Sequence, residues 1–201
     1  MSVNKYQGVL KGKVILLNSP KGAGKDYLAS RLCELTGCHH GQFKEHLYLI
    51  TSILFNIRVQ DFIKIATDRD TKEKEFPVLG NISPRQALIA VSEGMIKPNF
   101  GKAYFGTIEA AKLPNRMDTG VTYSDSGFIE EAQPLIEVAG AENVFIIKFT
   151  RKGADSFEGD SRNWLPSIEG TKVLKTANNG TIDELAIRVL DFVKRDGESI
   201  Y

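Results

Sequence analysis

The chain has 201 residues, with 26 lysines and arginines against 25 aspartates and glutamates and a formal net charge of +1. That length buries the core of one α/β domain with a small insertion, and the balanced charge predicts neither a nucleic-acid groove nor a membrane-binding surface. Two cysteines are too few for a disulfide framework. No apolar run approaches the ~18 residues of a membrane span, and the polar start Met1-Ser-Val-Asn-Lys-Tyr-Gln does not read as a signal peptide, so the expected location is cytoplasmic.

Residues 1–11 read as an irregular arm. A short apolar run, Val14 to Leu17, has the composition of a buried parallel strand. It turns through Ser19-Pro20-Lys21-Gly22-Ala23-Gly24 into a helix from Asp26 to Leu35, with Leu28, Leu32 and Leu35 on one face. Strand, glycine-rich turn, lysine and helix make a phosphate-binding loop: backbone N–H groups converge on phosphate oxygens, the helix dipole favours the anion, and Lys25 adds a mobile charge. The candidate nucleotide contacts are Lys21, Gly22, Ala23, Gly24, Lys25, Asp26 and Tyr27. The pattern departs from G-x-x-x-x-G-K-[ST] at both ends, with Ser19 for the first glycine and Asp26 for the hydroxyl residue. A carboxylate at position 26 can hold a hard cation directly or through water; the plainer alternative is a first-turn Asp after an ordinary glycine turn.

Gly37 is the expected C-cap of the first helix, with Cys33 a small hydrophobe on its apolar side. Cys38 to Phe43 reads as a short second strand. The neighbours Cys38, His39 and His40 point to opposite sides of an extended segment and cannot all reach one metal ion. Glu45 to Phe55 then reads as a largely buried helix. Lys44 falls at the strand-to-helix transition, where open α/β sheets bind ligands; its alternative is a solvated lysine. Asp61 to Glu75 combines a small apolar face (Phe62, Ile63, Ala66) with a charge-dense run expected to be solvated and mobile. Arg69 is a substrate candidate if that loop closes over a ligand. Pro77 to Asn81 reads as a loop. Ser83-Pro84 opens a helix with an N-cap and a proline at the first position, and Ala87, Leu88, Val91 and Met95 form its apolar side. Arg85 projects from its first turn with a fork suited to phosphate, or to a surface salt bridge. Ile96 to Lys102 reads as a break, and Ala103 to Leu113 as another helix with Tyr104, Phe105 and Ile108 inward.

Gly120 to Asp125 reads as a strand ending in an acid, followed by a helix from Phe128 to Ala139 that tolerates Pro134. An Asp at that strand end positions magnesium or substrate in phosphate-loop enzymes, and also suits an N-cap. Asn143 to Phe149 is the clearest strand. Beyond it, Arg151 and Arg162 sit in a polar loop able to close over phosphates, or simply to be solvated. Lys172 to Asn178 is a last strand. Asn179-Gly180 is a turn, and Thr181 to Glu184 starts a helix with capping-box spacing and a broad apolar face of Ile182, Leu185, Ile187, Val189, Leu190 and Val193.

Alternating strands and helices predict an α/β fold of three layers, a parallel sheet with helices on both faces. The chain resembles the bacteriophage deoxynucleoside monophosphate kinases, within the P-loop nucleoside monophosphate kinases, from about residue 13 to 195. The resemblance rests on Gly24-Lys25-Asp26, Ser83-Pro84-Arg85, Lys97-Pro-Asn-Phe-Gly-Lys-Ala-Tyr-Phe105, Ser124-Asp125-Ser126, Phe149-Thr-Arg-Lys-Gly153 and Asn178-Asn179-Gly180-Thr181 with Glu184-Leu185. It implies the P-loop NTPase fold, with a core near 12–43 and 119–195, a helical monophosphate-binding part near 44–118 and a lid near 151–166. It also implies ATP and Mg²⁺ as cofactors, a deoxynucleoside monophosphate acceptor, and the host cytoplasm for a phage-encoded chain. On that reading Lys25, Asp125, Arg151 and Arg162 are catalytic, Asp26 and Asp125 serve the metal, Lys44, Arg69 and Arg85 hold the acceptor, and Asn179 lies near the adenine. Related kinases often carry Asp-x-Arg after the strand; Gly127 stands here instead, which leaves Arg85 or Arg69 for the monophosphate or signals a different substrate preference. Homodimerisation is left open. A sugar-type acceptor or a regulatory ATP-binding module are the rival readings.

Overall fold

The computed structural model describes residues 5–158 and 162–197. Its centre is a five-stranded parallel sheet in the order β2-β3-β1-β4-β5. The strands are β1 (Val14–Asn18), β2 (His39–Gly41), β3 (Val121–Tyr123), β4 (Val144–Thr150) and β5 (Lys172–Ala177). β1 and β4 are central and lie in register from Val14 beside Val144 to Asn18 beside Lys148. Both are nearly unbroken apolar runs because a parallel strand covered on both faces has no solvent side.

Side chains alternate across the sheet. Ile15, Leu17, Phe145, Ile147 and Phe149 face a core shared with Leu28 and Leu32 of α1 (Lys25–Thr36) and Leu185, Val189 and Leu190 of α8 (Ile182–Lys194). Val14, Leu16, Val144 and Ile146 are equally buried on the other side, where α7 (Ile129–Ala139) packs against β1. The layered α/β arrangement expected from the alternating pattern is therefore present. Thr181 and Glu184 close the predicted capping box on α8, and Gly37 caps α1 with its N–H on the Cys33 carbonyl. The Cys33 thiol, hydrogen-bonded to Cys38 and largely buried, is held well above the ordinary thiol range and stays protonated, as a small hydrophobe does.

The chain divides into two compact units, Met1–Gln42 with Gly106–Tyr201, and Phe43–Phe105. The second is helical: α2 (Lys44–Leu54), α3 (Val59–Thr67), α4 (Pro84–Val91) and α5 (Lys97–Phe100). Tyr48, Phe62, Leu79 and Ala87 form its small core. α6 (Tyr104–Lys112) begins in the second unit and runs into the first. No helix of the described residues is long and apolar enough to cross a membrane.

Several local expectations change in three dimensions. Residues 1–4 lie outside the described residues, but the rest of the expected arm is anchored, because Tyr6 and Leu10 enter the main core. α2 is not largely buried: Tyr48, Thr51 and Ser52 are covered, whereas Leu49, Ile53 and Leu54 are exposed. Its partners α3 and α4 cover one side, a narrower stripe than its apolar sequence offers. Ile187 of α8 is exposed for the same reason. The expected break at Ile96 comes only at Gly101. A wide helical turn at Ser92–Ile96 precedes Lys97–Phe100, so Pro98 enters near the start of a new helical segment where its missing N–H does little harm. The charged run after α3 is partly ordered: the Asp68 carboxylate accepts from the N–H groups of Asp70 and Thr71.

Candidate phosphate site

The carboxyl ends of β1, β3, β4 and β5 all open on one edge of the sheet, since every strand pair is parallel. The loop after β1 leads directly into α1. Gly22 and Gly24 have φ of +88° and +102°, a region that L side chains avoid, which lets the chain double back into the helix. Lys25 is the first residue of α1 and only 9% exposed. Its ammonium bonds the Ser19 carbonyl and, at 2.9 Å, the Pro20 carbonyl, with the Ser19 hydroxyl at 3.4 Å. Ser19, where the usual pattern has glycine, is buried beside that ammonium. Among the described residues every buried side-chain nitrogen and oxygen has a partner, as a pre-formed site requires.

The other strand ends hold this loop in place. Asn178, at the end of β5, donates through its side chain to the Ala23 carbonyl at 2.9 Å and through its backbone to the Thr150 carbonyl at 2.7 Å. Asn179, the sequence candidate, is exposed, and its neighbour grips the loop instead. After β4, Arg151 and Ala154 close a tight turn with paired backbone bonds of 3.1 and 2.7 Å. That turn lies against the loop: a Cβ on Gly22 would stand 3.7 Å from the Ala154 Cβ. Arg151 itself is exposed, as are Lys21, Asp26 and Tyr27, the last at 76%.

After β3 come Ser124, Asp125 and Ser126. The Ser124 hydroxyl donates to Asp26 Oδ1 at 2.7 Å, which fastens the first turn of α1 to this strand end. The Ser126 hydroxyl donates to the Leu17 carbonyl at 2.8 Å. Asn18 is fully buried and uses its whole amide. Nδ2 donates to the Ser126 and Asn163 carbonyls at 3.2 and 3.0 Å, and Oδ1 accepts from the Leu165 N–H at 2.8 Å. Lys148 adds an ammonium bond to the Leu165 carbonyl, and burial pulls its pKa below the ordinary lysine value.

Arg162 is set down against Gly127 by the same stitching. Asn163 N–H donates to the Gly127 carbonyl at 3.3 Å, and the Arg162 stem crosses Gly127 so closely that a Cβ there would meet its Cβ and Cγ at 2.7 Å. The glycine that replaces an expected arginine thus makes room for an arginine arriving from elsewhere in the chain. Both described ends of 151–166 are tied to the core, while 159–161 of that expected lid lie outside the described residues.

The acceptor candidates belong to the helical unit. Lys44 is the first residue of α2, its ammonium 5.9 Å from the centre of the Tyr48 ring. Arg69 is exposed in the turn after α3. Arg85 is exposed in the first turn of α4, behind an intact Ser83–Gln86 capping box, and pairs with Glu73 at 3.5 Å.

Sequence reasoning missed Asn18, Ser124, Asn178 and His40, whose Nε2 lies 2.9 Å from the Ser124 hydroxyl. It also missed Glu109, fully buried under Lys112, Arg116 at 3.0 Å and the Tyr123 hydroxyl at 3.3 Å. Burial beside that carboxylate pushes the Tyr123 phenol well above its ordinary value. For Asn18, Ser124 and Asn178 the signal available was position, polar residues at the carboxyl ends of strands; Glu109 on α6 and His40 within β2 do not share it.

Comparison with known proteins adds little. No protein-family model matches the sequence, and no curated protein matches it. Among solved structures the chain is similar to a gluconokinase from Sinorhizobium meliloti 1021, 11% identical over 94% of each chain with a TM-score of 0.42. A likeness that weak says nothing about activity or substrate.

Proposed function

We propose that this protein transfers the γ-phosphoryl group of ATP to a deoxynucleoside 5′-monophosphate. The observation that carries the reading is the loop between β1 and α1. It has two left-handed glycines, the helix N-terminus and a lysine ammonium in one place, at the ligand-binding edge of a parallel sheet. The candidate donors are oxygens, those of Asp26, which accepts from the Ser124 hydroxyl, and of Asp125, next to Ser124 in sequence, and such hard ligands suit Mg²⁺. Asp26 and Asp125 would hold Mg²⁺, which would supply positive charge to offset that of the phosphates.

The protein's own part is positioning and electrostatics. Lys25 exchanges its bonds to loop carbonyls for phosphate oxygens and follows the charge as the phosphoryl group moves. Asn178 and the turn at 151–154 keep the loop in its bound form beforehand, so little reorganisation accompanies binding. Arg151 and Arg162 supply cations from the β4 turn and from the segment against Gly127, and exclude water that would hydrolyse ATP. Lys44, Arg69 and Arg85 hold the acceptor phosphate. For Arg85 this means leaving Glu73, and an exposed pair of that kind contributes only ~0–1 kcal/mol, so the exchange is easy.

The test is an ATP-consumption assay with Mg²⁺ across the four deoxynucleoside monophosphates, their ribose counterparts and a no-acceptor control. ADP formation that depends on a deoxynucleotide and disappears in Lys25→Ala is the expected result. Turnover only with sugar acceptors, or ATP binding without any transfer, overturns the proposal in favour of a different small-molecule kinase or a regulatory module.

A further inference from the structure

We propose that His40 and Ser124 are positioning residues that aim the Asp26 carboxylate at the metal–nucleotide complex, a role that rests on the phosphate-site reading above. A serine hydroxyl has one proton, and Ser124 gives it to Asp26 Oδ1 at 2.7 Å. A carboxylate only accepts, so this bond has one polarity. The contact of 2.9 Å between His40 Nε2 and the same hydroxyl oxygen therefore runs the other way, from an imidazole N–H to Ser124. His40 must carry its proton on Nε2.

The chain His40 to Ser124 to Asp26 joins three segments distant in sequence: β2, the end of β3 and the first turn of α1. Ser124 is 1% exposed, so its hydroxyl is held in one orientation by these two partners rather than by water. Asp26 Oδ1 is thereby occupied, and Oδ2 takes no partner among the described residues. A first-turn aspartate without this tether has several rotamers open to it on an exposed surface. Tethering it leaves one oxygen presented and the side-chain entropy already lost, which is how outer-shell groups raise the affinity of a metal site. It also gives a reason for aspartate at position 26: its carboxylate has two oxygens, one for the tether and one for the cation, where a serine or threonine has a single hydroxyl.

The experiment measures equilibrium binding of Mn²⁺, as a paramagnetic substitute for Mg²⁺, to the full-length protein saturated with ADP, alongside ADP affinity by calorimetry. Removing an outer-shell partner typically weakens metal binding about tenfold or more. Ser124→Ala and His40→Ala are each expected to show that loss with thermal stability maintained. The double variant is expected to be no worse than Ser124→Ala, because His40 acts only through the serine. His40→Gln, whose amide nitrogen reaches about where Nε2 lies, is expected to restore most of the affinity. Mn²⁺ affinity unchanged in both single variants, or a loss in His40→Ala that persists undiminished on the Ser124→Ala background, overturns the tether. Should Ser124→Ala misfold, the His40→Ala and His40→Gln pair carries the test alone. Failure of the parent protein to bind ADP would overturn the phosphate-site reading instead, a distinct outcome.

Discussion

The two units differ in how their chemistry is supported. In the first, the candidate phosphate loop leaves β1, all five residues of which are buried, and is gripped from the ends of β3, β4 and β5. In the second, Lys44 and Arg85 stand on short helices and Arg69 in the turn after α3, over a core whose large, nearly inaccessible side chains are Phe62 and Leu79. Parallel strands converge their ends on one edge, so three separate segments can brace a single loop. Short helices brace only what lies along one stripe. A more firmly braced first unit and a more lightly packed second unit follow.

This contrast can be broken most directly by cavities. Phe145→Ala removes a ring that stacks edge-on with Phe192 at 6.0 Å in the main core, and is expected to cost ~3–5 kcal/mol and to unfold the first unit. Phe62→Ala should cost about 3 kcal/mol, the low end for such a substitution, because its smaller core can relax. Amide exchange measured by mass spectrometry should rise within 43–105 in that variant while β1 and β4 stay protected; uniform loss of protection would erase the distinction between the units.

Lys25→Ala comes next. Loss of a charge-stabilising donor is expected to lower kcat by about 10²–10³, with a melting temperature close to that of the parent, since the removed ammonium bonds the loop's own Ser19 and Pro20. Asn18→Ala should cost about 1–3 kcal/mol, leaving the Leu165 N–H and two carbonyls without their partner, and should loosen the segment that carries Arg162. Chemical denaturation checks the first effect, and limited proteolysis after residue 162 the second. Arg85→Ala should be nearly silent in stability, within ~0–1 kcal/mol, because its pair with Glu73 is exposed. Its effect is expected in the acceptor KM alone, and an unchanged KM would remove Arg85 from the acceptor site.

The elements with a local physical signature could be read directly from the residues. Unbroken apolar runs marked β1 and β4, an N-cap serine with a following proline marked the start of α4, a capping box that of α8, and Gly22 and Gly24 the turn into α1. Burial was less legible where an element meets neighbours on one side only: Leu49 and Ile53 are as apolar as any core residue, yet α2 leaves them in solvent. Tyr6 and Leu10 err in the other direction, since nothing near them in sequence announces the core they enter.

Local sequence, then, determined the parallel α/β sheet and the loop that starts α1, because hydrophobic period, glycine conformation and end-capping act over a few residues. Only the tertiary structure decided which polar side chains complete the site. Asn178 reaches Ala23 across 155 positions, Asn18 holds Leu165 across 147, and Ser124 reaches Asp26 across 98. Such bonds depend on strand order, which brings distant strand ends to one edge, and on the absence of a Cβ at Gly127, which admits the stem of Arg162. Neither leaves a pattern in the neighbouring residues.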